Sequence, residues 1–225
     1  MDFSRTEALI GKDNLTKLQN LHAVIVGVGG VGGVTATMLA RAGVGKLTIV
    51  DFDTIASSNL NRQIIAYEST IGRKKVDVLK EMILDINKNI QITAIDQRLT
   101  KENLSIVDSA DIVIDAIDSV EDKVALIAYC KQKDIKIISA MGAGNRYQLQ
   151  NFQVCDIYKT HDDGLAKVVR KKLKEMGIAK HKVVCANSPQ DCSPQGVVGS
   201  ISYTPTMCGC TLAGEVVNMV IKGEL

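Results

Sequence analysis

The sequence is poor in several features that would make a function easy to read. No Cys-x-x-Cys pair occurs among its six cysteines; the nearest approach is Cys208-Gly209-Cys210. A structural zinc site is therefore not expected. No secretion signal is expected from the opening residues, so the thiols read as reduced small apolar side chains rather than a disulfide framework. The three histidines, His22, His161 and His181, fall at no ligand spacing, and core or surface roles are expected of them. A net charge of only +2 excludes nucleic-acid binding through bulk charge; any such role must rest on a local patch. No apolar run is long enough to span a bilayer. The best late stretch, 206–221, carries Glu215 and Asn218 and reads as a docking or dimer-face helix. Proline is confined to Pro189, Pro194 and Pro205, which marks 186–200 as the one long loop.

What remains is a chain with 46% hydrophobic residues in 225, enough for the core of a single α/β domain spanning 1–225. Five β-branched apolar runs, 22–28, 46–52, 90–96, 111–117 and 135–141, read as strands. Helical patterns lie between them at about 31–43, 72–87, 101–108 and 121–133, and one or two helices precede the first strand. Continuous apolar strands alternating with helices predict a Rossmann-like, mostly parallel sheet covered on both faces. The part after about residue 150 reads as looser.

Straight after the first strand, "GVGGVGG" places Gly27, Gly29 and Gly32 in the G-x-G-x-x-G spacing. Glycine permits the tight turn, and the helix N-terminus that follows offers free N–H groups to phosphate. Asp51, 24 residues after Gly27, ends the second strand where a carboxylate can hold a ribose hydroxyl pair. NAD and ATP share that ribose, so the loop alone does not choose between them.

The stretch "DFDTIASSNLNRQ" (51–63) favours polyphosphate. Arg62 offers a planar fork of donors for phosphate oxygens, and Asn59, Asn61 and Gln63 can bond phosphate, ribose or a metal-bound water. In "TIGRKKV", Gly72 precedes Lys74 and Lys75 at a helix start, where cations oppose the macrodipole and so ask for an anion. The fourth strand ends at Asp118, on the sheet edge where such folds bind ligands, and a carboxylate there is a candidate Mg²⁺ ligand. Asp115, inside that strand, is expected to be structural.

Together, "GVGGVGG", "DFD", "SNLNRQ", "GRKKV" and "DAIDS", in this order, resemble the ThiF-type adenylating superfamily of ubiquitin-activating, molybdopterin-synthase-activating and thiamine-pathway enzymes. The resemblance implies an ATP-dependent enzyme that activates a carboxylate as an acyl-adenylate. By motif, Gly30 would contact phosphate, Asp51 the ribose, and Arg62 with Lys75 the polyphosphate. Asp53, Asn59, Asn61, Gln63 and Ser119 would line the site, and Asp118 would hold Mg²⁺. "FSRTEAL" is similar to the family's N-terminal arginine motif, so Arg5 would reach a partner subunit's ATP in a homodimer.

Zinc-holding cysteine pairs, usual in members that activate sulfur carriers, are missing. "VIDAIDSVEDKVALIAYC", "GAG" and "LAKVVRKKLKEMGI" instead resemble the tRNA threonylcarbamoyladenosine dehydratase family. That resemblance implies a cytoplasmic enzyme adenylating the threonine carboxylate of a modified adenosine in tRNA, with cyclisation and loss of AMP. Activation of a ubiquitin-like sulfur carrier through its Gly-Gly carboxylate is the alternative, and a sulfur-handling or ubiquitin-like partner stays open. An NAD-dependent oxidoreductase would leave Arg62, Lys75 and Asp118 without a task.

The segment 167–182 holds seven Lys or Arg and one acid, with apolar residues at helical spacing. Its outer face, from Lys167, Arg170, Lys171, Lys172 and Lys174, is a candidate contact for the tRNA backbone. Residues from about 150 to 225 are expected to face substrate and partner. Cys185 and Cys192 lie in or beside the long loop, but intramolecular ring closure needs no enzyme thiol.

Overall fold

The computed structural model describes residues 1–191 and 197–225. In chain order it contains α1 (Ser4–Ile10), α2 (Lys12–Asn20), β1 (His22–Val26), α3 (Gly32–Ala42), β2 (Lys46–Asp51), α4 (Lys75–Ile86), β3 (Gln91–Asp96), β4 (Ile112–Asp115), α5 (Val120–Gln132), β5 (Lys136–Ala140), β6 (Gln153–Asp156), α6 (Gly164–Glu175), β7 (Lys182–Cys185) and α7 (Tyr203–Ile221). The strands form one seven-stranded sheet in the order β3-β2-β1-β4-β5-β7-β6. All neighbours are parallel except β6, which runs against β7.

The apolar strands are buried because side chains alternate between two covered faces. Ala23 and Ile25 of β1 join one cluster with Leu39, Leu79 and Leu212; Val24 and Val26 join the other with Leu126, Val169 and Leu173. Helices α3, α4 and α7 thus cover one face, and α5 and α6 the other. Local chemistry fixes several helix ends. Gly43 closes α3 with φ +110°, a left-handed position open to glycine. Asp163 caps α6 by accepting from Ala166 N at 2.8 Å, and Ser119 takes the same role for α5.

Three features depart from the sequence expectation. The 101–108 segment holds only a 3₁₀ turn, Leu104–Val107, whose i, i+3 pair Leu104 and Val107 is the buried face. Two strands, β6 and β7, lie in the portion expected to be looser. β7 sits between β5 and β6, and α7 buries Cys208, Leu212, Val216 and Val220 in the core. The basic stretch is also not one helix: α6 stops at Glu175, Gly177 turns with φ +72°, and Lys182 begins β7.

Candidate active site

After β3 the chain crosses β2 and β1 to lay down β4, so strand order reverses between β1 and β4. Ligands bind outside the carboxyl ends of strands at such a switch point. A cavity of about 720 Å³ opens there, walled by Gly27, Gly29, Gly30, Asp51, Asn59 and Arg62, among others. Two loop glycines are needed for close approach. At Gly27 (φ +85°) a Cβ would stand 2.7 Å from Ala116 O, and at Gly32 one would stand 1.8 Å from Gly27 O. Gly32 is therefore a packing residue under the loop, not part of the wall. Gly29 and Gly30 face the cavity.

Asp51 is held by two backbone donors, Val28 N and Asp53 N, both at 2.8 Å. Each of its oxygens keeps a lone pair for a hydroxyl. The chain then runs antiparallel to the segment before α4: Ile55 N donates to Arg73 O, Gly72 N to Ile55 O, and Lys75 N to Asp53 O. This clamp explains how two motifs some twenty residues apart share one site. It also separates the two lysines. Lys75 is buried and reaches the cavity, its Nζ 2.7 Å from Asp53 Oδ2. Lys74 turns outward to Asp96 at 3.1 Å.

Within the excursion between the clamped ends, Asn59 is buried and accepts from Ala56 N. Asn61 lies outside the cavity wall and donates to Ser200 O, tying this loop to the segment before α7. Arg62 folds back on Ser58 O (2.7 Å) and Asn61 Oδ1 (2.9 Å), leaving its other terminal nitrogen for a ligand. Gln63 lines the wall with a buried Oε1 that meets no donor. An orphaned buried acceptor in a polar cavity fits a ligand or bridging water with a proton to give.

Across the cavity, Asp118 is exposed and Ser119 stands beside it. A single free carboxylate facing a phosphate-sized space suits Mg²⁺, which takes one or two carboxylates plus substrate phosphates. Among the described residues no group of three or more His, Cys, Asp or Glu could hold a metal without such a ligand. Asp115 is structural: fully buried, it receives Lys123 Nζ at 2.8 Å and Ile117 N at 3.0 Å.

Several wall residues carry no sequence signature. Arg98, just past β3, lies 5.6 Å over the Phe52 ring and donates twice to Asp122. That carboxylate holds the guanidinium protonated more firmly still. Gly144 and Val198 come from distant loops, and Pro205 from the first turn of α7. The only hint was the "GAG" at 142–144, whose first glycine lies so close to Asp163 that a Cβ would stand 2.9 Å from its carboxylate.

Other candidates fall elsewhere. Lys167, Lys171 and Lys174 are exposed on α6, although Lys171 stands 4.0 Å from Glu175. Lys172 faces a smaller groove with Lys101 against α5. Arg170 is half-buried, and its Nη1 donates to Thr160 O at 2.7 Å and Thr160 Oγ1 at 2.6 Å, which leaves only its other nitrogens for a phosphate. Arg5 lies on α1, a helix with no buried residue. Cys185 is buried beside Asp163, and burial pushes its thiol up to about 11, which argues against a nucleophile. Cys192 lies outside the described residues.

The model of the ThiF family matches residues 3–224 of this sequence. The chain belongs to the ThiF family. The tRNA threonylcarbamoyladenosine dehydratase of Bacillus subtilis is 45% identical over 180 residues, covering 79% of this chain and 71% of that protein. The fold is similar to that of a crystal structure of the Escherichia coli tRNA N6-threonylcarbamoyladenosine dehydratase in complex with AMP. The TM-score is 0.94 at 31% identity, over 99% of this chain and 94% of the other. A structure of the same Escherichia coli enzyme with ATP gives a TM-score of 0.93 at 32% identity, with the same coverage.

Proposed function

We propose that this chain is an ATP-dependent tRNA-modifying dehydratase acting on threonylcarbamoyladenosine. The observation that carries the reading is the composition of one cavity. It gathers phosphate-facing glycines, the Asp51 carboxylate, the cations Arg62 and Lys75, and a free Asp118. That inventory suits activating a carboxylate as an acyl-adenylate.

ATP lies with its ribose on Asp51 and its phosphates along Gly29, Gly30, Arg62 and Lys75, with Asn59, Gln63 and Ser119 beside them. The threonine carboxylate attacks the α-phosphorus and pyrophosphate leaves, its charge met by Arg62 and Lys75. The neighbouring carbamoyl group then attacks the acyl carbon and AMP departs, so the nucleoside loses one water overall. Attack within one molecule has a high effective molarity, which removes the need for a protein nucleophile. Asp118 would hold Mg²⁺, which would supply positive charge against the polyphosphate. The fold works as a cytoplasmic homodimer in which Arg5 reaches the partner's ATP. Lys167, Lys171 and Lys174 meet the tRNA backbone.

The test is nucleoside mass spectrometry. Purified protein, ATP and Mg²⁺ are incubated with tRNA carrying threonylcarbamoyladenosine, against a control without ATP. Loss of one water only with ATP supports the reading. No change, with AMP transferred instead to a protein ending in Gly-Gly, transfers the reading to a sulfur-carrier adenylyltransferase.

A further inference from the structure

The second acidic residue of "DFD" sits oddly in a site built for phosphate. Asp53 lines the cavity, and its side chain keeps 46% of its exposure. A carboxylate pointing at a triphosphate repels it, so a phosphate contact is a poor account of Asp53. Its bonds give a better one. The Asp53 N–H donates to Asp51 Oδ1, its carbonyl accepts from Lys75 N at 3.1 Å, and its Oδ2 receives Lys75 Nζ at 2.7 Å. One residue thus joins the Asp51 carboxylate to both the backbone and the ammonium of Lys75 through three hydrogen bonds.

Resting on the reading of this cavity as an ATP site, we propose that Asp53 is a positioning residue that acts through Lys75 and does not bind nucleotide. The physical need is specific to Lys75. Its stem is buried, with the side chain 7% exposed, and it opens α4, where the helix dipole repels a cation. A lysine also loses much rotamer freedom when fixed. Asp53 counters the dipole and fixes the ammonium before ATP arrives, so less ordering remains for binding. Because the clamp between 53–55 and 72–75 is made by backbone, the carboxylate is not needed to hold the two segments together.

The test is a double-mutant cycle on ATP affinity, measured by calorimetry with wild type, Asp53→Asn, Lys75→Met and the double variant. Asp53→Asn keeps the side-chain volume and every backbone bond, and its melting temperature is expected within about 2 °C of wild type. If Asp53 acts through Lys75, Asp53→Asn weakens ATP binding about tenfold in the wild-type background and less than about twofold in Lys75→Met. Asp53→Glu, which retains the charge, recovers part of the loss. An equal loss in both backgrounds shows Asp53 meeting the nucleotide or its metal directly and overturns the inference alone. A wild type that binds no ATP overturns the nucleotide reading together with the task given to Lys75.

Discussion

Two lysines occupy similar places in this fold and meet opposite surroundings. Lys75 opens α4 and Lys123 lies in the first turn of α5, each after a strand of the parallel sheet. Lys123 and its partner Asp115 are both wholly buried, and the ammonium also donates to Ala140 O at 3.1 Å. Lys75 pairs with a half-exposed Asp53 on the cavity wall. The closed pair has no position left for a ligand and ties β4, α5 and β5 together beneath the site. The open pair presents a charge held in place with room beside it. Ion pairs near a site are therefore not equivalent evidence: solvent access on one side separates a ligand-ready cation from a structural one.

The largest expected effect breaks the closed pair. Lys123→Met leaves Asp115 buried without a counter-charge and should cost about 3–5 kcal/mol of folding stability, read by chemical denaturation. Lys75→Met should cost under about 1 kcal/mol, because Asp53 can rehydrate. Similar losses at the two positions would erase the distinction. Next come the open cavity's own charges. Arg62→Ala and Asp118→Ala should each reduce turnover about 10²–10³-fold at unchanged melting temperature; normal turnover in either variant would remove it from the site.

A smaller effect concerns the outer surface. Replacing Lys167, Lys171 and Lys174 by Glu should weaken tRNA binding about tenfold and flatten its salt dependence, with ATP affinity untouched. Unaltered tRNA binding would discard this face of α6 as the contact. The most gradual effect, small within any one pH unit, lies again on the closed side. His181 is fully buried, meets Ser139 Oγ at 2.8 Å, and burial with the charges of Lys131 and Lys123 lowers it from 6.5 to about 3. Below pH 6.5 the unfolded chain takes up a proton that the folded chain refuses until about pH 3. Stability should therefore fall as pH drops through this window, by at most about 1.4 kcal/mol per pH unit. His181→Gln should flatten that part of the stability–pH curve; an unchanged slope would place the titration in another group.

Much of the cavity wall was legible because its residues follow strand ends and announce themselves locally. Gly27, Asp51 and Asp118 each close a β-branched run, and the turn physics of a glycine loop is written in its spacing. What could not be read depends on contacts distant in sequence. Arg98 follows an unremarkable strand, and Gly144, Val198 and Pro205 reach the cavity only because β5, β7 and the start of α7 come to one edge. β6 and β7 are not legible in the sequence because four-residue strands carry little periodicity, and "KVVC" follows directly on a basic run. Arg170 looked like a surface cation by helical spacing alone; its bond to the Thr160 carbonyl belongs to the tertiary structure.

The placement of β7 between β5 and β6 has a consequence for how the chain is made. Emerging from the ribosome, residues up to about 140 can pair five parallel strands in the order they are synthesised. The outer side of β5 then has no neighbour, since β6 comes next in sequence yet pairs only with β7. Until residue 185 is out, the nascent protein carries an open, apolar sheet edge and an unattached strand, the kind of intermediate that chaperones shield. Synthesis arrested between about residues 140 and 182 should therefore give a product prone to aggregation, although most of its nucleotide-facing loops would already be in place.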